Sequence, residues 1–260
     1  MRFFLFILLL CCLCRTALAE VAELRIALWM ADARDARQLP AGGLAAFNEA
    51  LARQICRRIN ARCSTENVLF ADILPGIEAR RFDLGFGNFL RTPEREKRVA
   101  FSDTIWNSSS RLLVRSDSNR RLEARFGPEI RPEKLRDLRV GGVSGTQQYA
   151  YLERLADGRG LALSGFRTMS EVLDRLGDGQ LDICLLPMLS AYDLLLREAP
   201  GRFEFIGPPL VDNGLGGTVH IALAKEREPL RQAVNSAIAA LRADGTYHRL
   251  LRQYFPFSLE

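Results

Sequence analysis

An arginine stands near the start of a predicted helix in the segment DLGFGNFLRTPEREKRVAFSD, residues 83–103. Thr92 is a favourable N-cap residue and Pro93 suits the first helical position, so a helix is expected to begin here. Arg95 then lies in the first turn, where the helix dipole favours a carboxylate over a cation. A guanidinium in this place suits an anionic ligand that backbone N–H groups can also hold. The alternative is that Arg95 is one more solvated arginine in an arginine-rich chain.

A second segment repeats this arrangement later in the chain. Residues 138–142 read as a strand, and Gly145, Thr146, Gln147 and Gln148 follow it before a helical pattern. A strand end, a glycine and a helix N-terminus again bring free N–H groups together with hydroxyl and amide side chains. The sequence therefore predicts two helix starts that are suited to a polar ligand.

The first residues have the pattern of a secretory leader. Arg2 precedes an apolar run over residues 3–14, which is too short to cross a bilayer. Ala17 and Ala19 form a small-x-small cleavage site, so we predict a signal peptide over residues 1–19. The alternative is an uncleaved anchor.

Composition indicates a globular protein of one large or two small domains. The chain has 260 residues, of which 48% are hydrophobic and 26% are charged. Without the predicted leader it keeps 34 Lys and Arg residues against 31 Asp and Glu residues, a net charge of +3. This charge is too small and too mixed to argue for a nucleic-acid partner.

Three of the six cysteines belong to the predicted leader, and Cys56, Cys63 and Cys184 remain. In an oxidising compartment Cys56 and Cys63 can pair, which would join the end of a predicted helix to the start of a predicted strand. Cys184 lies in the apolar run 181–186 and is expected to be a buried free thiol.

Residues that could support catalysis or metal binding are few. His220 and His248 are the only histidines, and no cysteine pair has zinc-ligand spacing with histidine support. Ser144 lacks the spacing of a nucleophile elbow. We therefore predict no metal, no cofactor and no enzymatic activity.

Apolar periodicity divides the chain into alternating strands and helices. Predicted strands cover residues 24–28, 64–70, 83–86, 138–142, 181–186, 203–207 and 219–224, and predicted helices cover 44–60, 73–79, 147–155, 169–176, 189–198, 229–244 and 246–254. This alternation indicates an α/β fold with parallel sheets, in which ligands bind at the carboxyl ends of the strands. The charged residues 116–136 are expected to be a surface excursion.

The pattern predicts two lobes joined by extended crossings near residues 109–113 and 214–218. Residues 20–110 and 217–260 would form the first lobe and residues 111–216 the second. A cleft between such lobes would hold a small ligand and close by hinge motion.

Six segments carry a family resemblance, in the family's order: GGLAAFNEALARQICRRINARC, IEARRFDLGFG, TPEREKRVAFSDTIW, LRVGGVSGTQQ, LGDGQLDICL and LRADGTYHRLLRQYF. The chain resembles the bacterial extracellular solute-binding proteins of family 3, the periplasmic receptors of polar amino-acid ABC transporters. Within them it is most similar to the histidine and the lysine/arginine/ornithine binding proteins. The resemblance implies the two-lobed type II periplasmic binding fold, a periplasmic location and an inner-membrane ABC permease as partner. We expect a monomer that binds a small carboxylate-bearing solute, an amino acid or a derivative.

The resemblance also implies roles for particular residues. Arg95 would grip the ligand's α-carboxylate, with Thr146 assisting from the second lobe and Phe70 packing on the ligand. We further expect polar contacts from Asn88 and Gln147 and an apolar wall from Trp29.

The chain departs from the family's pattern at the ammonium end of the site. Pro187 stands where these receptors have an aspartate that takes the ligand's ammonium, and Asp32 stands where an aromatic covers the ligand. A buried ammonium without a counter-charge is costly. Either the ligand lacks an α-ammonium, or another acid replaces the missing one, with Asp32 as the candidate. Asp32 could equally be a solvated loop residue beside Arg34.

Two other functions use the same fold. A receptor with an altered pocket could act as a ligand-sensing or interaction module for a separate protein. Some relatives in this family are dehydratases of prephenate-like acids, but the sequence offers little support for that activity.

Overall fold

The computed structural model describes residues 23–30, 43–198 and 201–255. The predicted leader and Asp32 lie outside these ranges. The strands are β1 (Glu23–Trp29), β2 (Arg62–Val68), β3 (Leu84–Leu90), β4 (Ala100–Phe101), β5 (Trp106–Ser108), β6 (Ser110–Arg115), β7 (Arg139–Val143), β8 (Ala162–Phe166), β9 (Ile183–Pro187), β10 (Phe203–Leu210) and β11 (Gly217–Leu223). The helices are α1 (Gly43–Arg58), α2 (Phe70–Glu78), α3 (Pro93–Glu96), α4 (Asn119–Phe126), α5 (Gln147–Ala156), α6 (Met169–Gly177), α7 (Met188–Glu198), α8 (Glu228–Ala243) and α9 (Thr246–Tyr254).

The strands form two mixed sheets, each of which defines a lobe together with its helices. The first sheet has the order β2-β1-β3-β11-β4, with β5 also pairing with β11. The second has the order β10-β6-β9-β7-β8. The predicted α/β architecture with two lobes is therefore present.

The alternation of strands and helices predicts parallel sheets, but neither sheet is wholly parallel. Three neighbouring strands are parallel in each sheet, β2-β1-β3 and β9-β7-β8. Antiparallel strands complete both sheets: β11 runs against β3, β4 and β5, and β6 runs against β9 and β10. Crossover helices connect the parallel strands of each sheet, whereas β6 and β11 enter their sheets directly from the other lobe, so no helix sets their direction.

The chain passes from the first sheet to the second between β5 and β6, at Ser109, and returns between Leu210 and Gly217. The first passage is a single residue between two strands, whereas the second forms a turn in which the Leu215 N–H donates to the Asp212 carbonyl at 3.0 Å, so the second crossing is not extended as predicted. The lobe limits given above, 20–110 with 217–260 and 111–216, remain a prediction.

The first core confirms the helical face that apolar spacing predicted for α1. Leu44, Phe47, Leu51 and Ile55 are all fully buried. The ring of Phe47 lies edge-on to Trp106 at 5.5 Å between centroids and also contacts aromatic rings near the C-terminus. This packing fixes the position of β5, the strand that leads into the first crossing.

In the second lobe one prediction was wrong and one strand was missed. Residues 116–136 are not only a surface excursion, because they contain α4 and bury Leu122, Ile130 and Leu135. Strand β8 was not predicted. It lies at the edge of its sheet and is mostly exposed, so its residues lack the apolar run that marked the buried strands.

The cysteines have the predicted states. Cys56, near the end of α1, forms a disulfide with Cys63 in β2. Cys184 is a free thiol buried in β9, and burial raises its pKa.

We expect reduction of the Cys56–Cys63 disulfide to lower the free energy of unfolding by about 2.5 kcal/mol, the chain-entropy cost of a loop this short. The two cysteines are separated by 7 residues. Urea unfolding with and without dithiothreitol measures the difference. The double variant Cys56→Ala/Cys63→Ala is the control, since the reductant should not change its stability. A reductant effect that persists in the double variant would contradict this assignment.

Candidate ligand cleft

A cleft of about 610 Å³, counted with the space at its mouth, lies between the two lobes. Its walls come from the carboxyl ends of strands and from the helix starts that follow them, as the fold class predicts. The first lobe contributes Trp29, Met30, Phe70, Gly87, Asn88, Leu90 and Arg95, and Ser108 precedes the first crossing. The second lobe contributes Val143, Thr146, Gln147, Gln148, Arg167, Thr168, Met169, Pro187 and Ser190.

Arg95 occupies the position that its local sequence predicts. The Thr92 hydroxyl accepts a hydrogen bond from the Arg95 backbone N–H at 3.3 Å, and Pro93 begins the short helix α3. The side chain turns inward, so that Arg95 is only 7% exposed. The prediction of a helix start is confirmed, and the solvated-arginine alternative does not hold.

Backbone oxygens hold the Arg95 guanidinium. Nη1 donates to the Leu90 carbonyl at 2.9 Å and Nη2 donates across the cleft to the Gly145 carbonyl at 3.3 Å. Among the described residues, no carboxylate lies within ion-pair distance of this group. A guanidinium has five N–H donors, so donors remain for a ligand.

Two aromatic rings fix the position of this cation. The guanidinium carbon lies 5.6 Å from the centre of the Phe70 ring and 5.3 Å from that of Phe89. Burial lowers the pKa of Arg95 to about 10. The group therefore stays positively charged at neutral pH, in surroundings of low polarity where its attraction for an anion is strengthened.

Asn88 reaches the cleft through an irregularity in β3. The register of β3 against β11 shifts between Gly85 and Phe89, and Asn88 within this segment has a φ of 54°. Such bulges re-aim side chains, and asparagine tolerates left-handed backbone well. The buried Asn48 of α1 donates from Nδ2 to the Asn88 Oδ1 at 3.3 Å. This bond orients the Asn88 amide, whose N–H groups stay available.

The start of α5 forms the facing wall. Thr146 is its N-cap: the hydroxyl accepts from the Tyr149 N–H at 3.2 Å and donates to the Val143 carbonyl at 2.6 Å. This hydroxyl is therefore engaged in building the helix start. The side chain of Gln147 and the first-turn N–H groups are better placed to meet a ligand, since such N–H groups have no partner within the helix.

Gln148 also lines the cleft, although it was not among the predicted ligand contacts. It is buried, and its Nε2 donates to the Ser110 hydroxyl at 2.8 Å. That hydroxyl in turn donates to the Leu215 carbonyl. Gln148 thereby ties α5 to both chain crossings, a position that its place in the Gly-Thr-Gln-Gln segment alone could not indicate.

Arg167 was also missed. It follows β8 and precedes α6, whose N-cap Thr168 forms a capping box with Glu171. The Arg167 side chain is exposed and lines the cleft. The signal that could have revealed it is the same strand end and helix start that drew attention to Arg95, but without β8 the pattern was not recognised.

The remaining predicted residues fall as follows. Trp29 ends β1 and is buried, and Phe70 begins α2, so both supply apolar wall. Pro187 ends β9 at the cleft and offers neither charge nor N–H. Of the seven predicted ligand contacts, the structure brings together the six that it describes, and Asp32 lies outside the described residues.

Metal ligands and membrane spans are both missing from the part of the chain that the structure describes. No group of three or more His, Cys, Asp or Glu residues there could hold a metal ion. No helix in those ranges is both long and apolar enough to cross a membrane.

Two lobes, two crossings and a polar cleft between strand ends define a periplasmic-binding-protein fold of type II. The chain belongs to the bacterial extracellular solute-binding proteins, family 3, whose sequence model matches residues 38–257. It is therefore a solute-binding protein and not an enzyme.

Comparison with individual proteins agrees with this assignment. The chain is 31% identical to the histidine-binding periplasmic protein of Escherichia coli K12 over 84% of this chain and 82% of that protein. It is 27% identical to the lysine/arginine/ornithine-binding periplasmic protein of the same strain, over 84% and 82%. The solved structure of an ancestral arginine-binding protein bound to arginine superimposes with a TM-score of 0.76 at 21% identity, covering 90% of this chain and 98% of that one.

The pKa of Arg95 gives an expectation for pH dependence. The pKa is about 10, so affinity for a carboxylate-bearing solute should be constant between about pH 6 and 9. Calorimetric titration at fixed ionic strength measures this profile, and melting curves at each pH verify folding. A loss of affinity between pH 7 and 9 would show that another group controls binding.

Proposed function

We propose that this protein captures a small carboxylate-bearing solute, an amino acid or a derivative, and delivers it to an inner-membrane ABC permease. One observation carries the proposal: Arg95 is a buried cation at the cleft, and no described carboxylate neutralises it. A ligand carboxylate would supply the missing charge and accept the free N–H donors bidentately.

The surrounding residues suit the rest of such a solute. Asn88 and Gln147 offer polar contacts from opposite lobes, and the start of α5 next to Thr146 offers backbone N–H groups. Trp29 and Phe70 form apolar walls. Asp32, which lies outside the described residues, remains a candidate contact.

The periplasmic location and the delivery of the solute to a permease are proposed from the relatives. The curated relatives are named as periplasmic proteins, and a cleavable leader over residues 1–19 would bring this chain to the same compartment. The Cys56–Cys63 disulfide fits an oxidising compartment. We propose that the protein acts as a monomer whose lobes, with the limits given above, close on the solute.

The identity of the solute is open at its second polar group. The relatives named above bind histidine or the basic amino acids lysine, arginine and ornithine. Pro187 leaves no counter-charge for an α-ammonium at the end of β9. The solute therefore lacks that ammonium, or Asp32 takes the place of the missing acid.

Loss of binding in an Arg95 variant tests the proposal. A thermal-shift screen of the purified protein against the amino acids and plain carboxylic acids identifies ligands, because a ligand that binds only the folded state raises the melting temperature. Arg95→Lys keeps the charge but loses the planar fork, and Arg95→Met loses both. We expect about tenfold or greater weakening in Arg95→Lys and no measurable binding in Arg95→Met.

Arg98→Ala is the matched control. Arg98 belongs to the same segment, is exposed and pairs with Glu78, so its loss should leave affinity unchanged. Normal binding by both Arg95 variants would contradict the site. If no acid or amino acid raises the melting temperature of the unaltered protein, capture of a carboxylate solute is wrong and a sensing or interaction role is favoured.

A further inference from the structure

The side chains around the cleft have an uneven balance of charge. Among the described residues that line it, Arg95 and Arg167 carry positive charge and none is an aspartate or a glutamate, so their formal charge is +2. The other polar side chains there are neutral amides and hydroxyls. A solute of formal charge zero would leave the net charge of the occupied cleft at +2, and a basic amino acid would raise it to +3.

Arg167 lines the same cleft as Arg95 but belongs to the other lobe. Phe166 pairs with Val143 at the ends of β8 and β7, which places the Arg167 backbone beside the strand that leads to α5. The Arg167 backbone N–H donates to Glu171 Oε2 at 2.9 Å. The same carboxylate oxygen accepts from the Thr168 N–H at 3.4 Å.

Glu171 therefore serves the start of α6 and does not neutralise the Arg167 guanidinium. No hydrogen bond or ion pair to the Arg167 side chain occurs within the described part of the chain. An arginine that lines a ligand cleft with all its donors open is suited to a carboxylate.

Pro187 stands at the position where the resemblance implies an aspartate that would accept the ligand's ammonium. Pro187 lines the cleft at the end of β9, and the nearby Ser190 of α7 is a neutral hydroxyl. An ammonium placed here would gain no counter-charge from the described residues and would be repelled by two guanidinium groups. Like charges disfavour the ionised form of a buried group, so this environment works against an ammonium and in favour of a second anion.

We propose that the solute is a small dicarboxylate without an α-ammonium, held by Arg95 of the first lobe and Arg167 of the second. This inference rests on the proposed function, because Arg95 must hold one carboxylate. It goes further in naming the second acidic group and Arg167 as the residue that selects it.

Matched ligands distinguish the effect of a second carboxylate on affinity from the effect of an α-amino group. Succinate, glutarate and adipate are dicarboxylates, and aspartate, glutamate and 2-aminoadipate are the same molecules with an α-amino group. Butyrate, valerate and hexanoate have the same chain lengths with one carboxylate. Calorimetric titration of the full protein at pH 7 measures the affinity for each. We expect one dicarboxylate to bind about tenfold or more tightly than both of its counterparts.

Variants of Arg167 test whether this residue causes the preference for a dicarboxylate. Arg167→Ala should weaken dicarboxylate binding by about tenfold or more and leave monocarboxylate binding within about twofold, because only the second group loses its partner. Arg167→Lys should retain part of the preference. Arg120→Ala is the control, since Arg120 is exposed in α4 of the same lobe and does not line the cleft. Its removal changes net charge equally and should alter neither affinity.

Several outcomes would overturn the inference but leave the proposed function intact. One is tighter binding of the amino-bearing member of a pair, and loss of that binding in Asp32→Asn would then assign the ammonium to Asp32. Another is an equal effect of Arg167→Ala on mono- and dicarboxylates. By contrast, unchanged binding of every ligand by Arg95→Met would overturn the proposed function itself. Failure of all these acids and amino acids to bind would overturn both.

Discussion

The buried charge of Arg95 is the constraint around which the cleft is arranged. A cation removed from water is costly unless dipoles or an anion surround it. Here the Leu90 and Gly145 carbonyls and the faces of Phe70 and Phe89 supply part of that compensation. They do not balance the positive charge of Arg95, because none of them carries a negative charge. The cleft is therefore prepared for an anion before any ligand arrives, and an anion gains from contacts that are already oriented.

One structural unit, a strand that ends at a helix start, builds most of the walls. It occurs at β3 and α3, at β7 and α5, and at β8 and α6, and it presents Arg95, the Gln147 region and Arg167 in turn. The longer helices α5 and α6 add the positive ends of their dipoles to the two guanidinium groups. The unit at β9 and α7 differs, since Pro187 gives the strand end neither charge nor a donor. Every described charge at the cleft thus has the same sign.

Local signals made Arg95 predictable from sequence. Thr92, Pro93 and the preceding apolar strand lie within a few residues of it, and a capping residue acts over the same range. Arg167 was missed because its signal depends on β8, an exposed edge strand whose stability comes from pairing with β7 and not from its own apolar pattern. Helix α4 was missed for the same reason, because it is short and charged and has no apolar pattern, although it buries Leu122. The antiparallel strands β6 and β11 follow from the crossings between lobes, which are tertiary features that periodicity does not report.

The placement of the two arginines on different lobes links selectivity to closure. Gly145 accepts from Arg95 across the cleft, and Gln148 connects α5 through Ser110 to Leu215, so movement at the cleft bears on both crossings. A ligand favours the closed arrangement only to the extent that it interacts better with that state. Two guanidinium groups repel one another when the lobes approach, and an intervening dicarboxylate replaces that repulsion with attraction on both sides. A monocarboxylate would satisfy one lobe and leave the repulsion from the other. On the proposed assignment, the charges that choose the solute are thus also the charges that make the closed state depend on it.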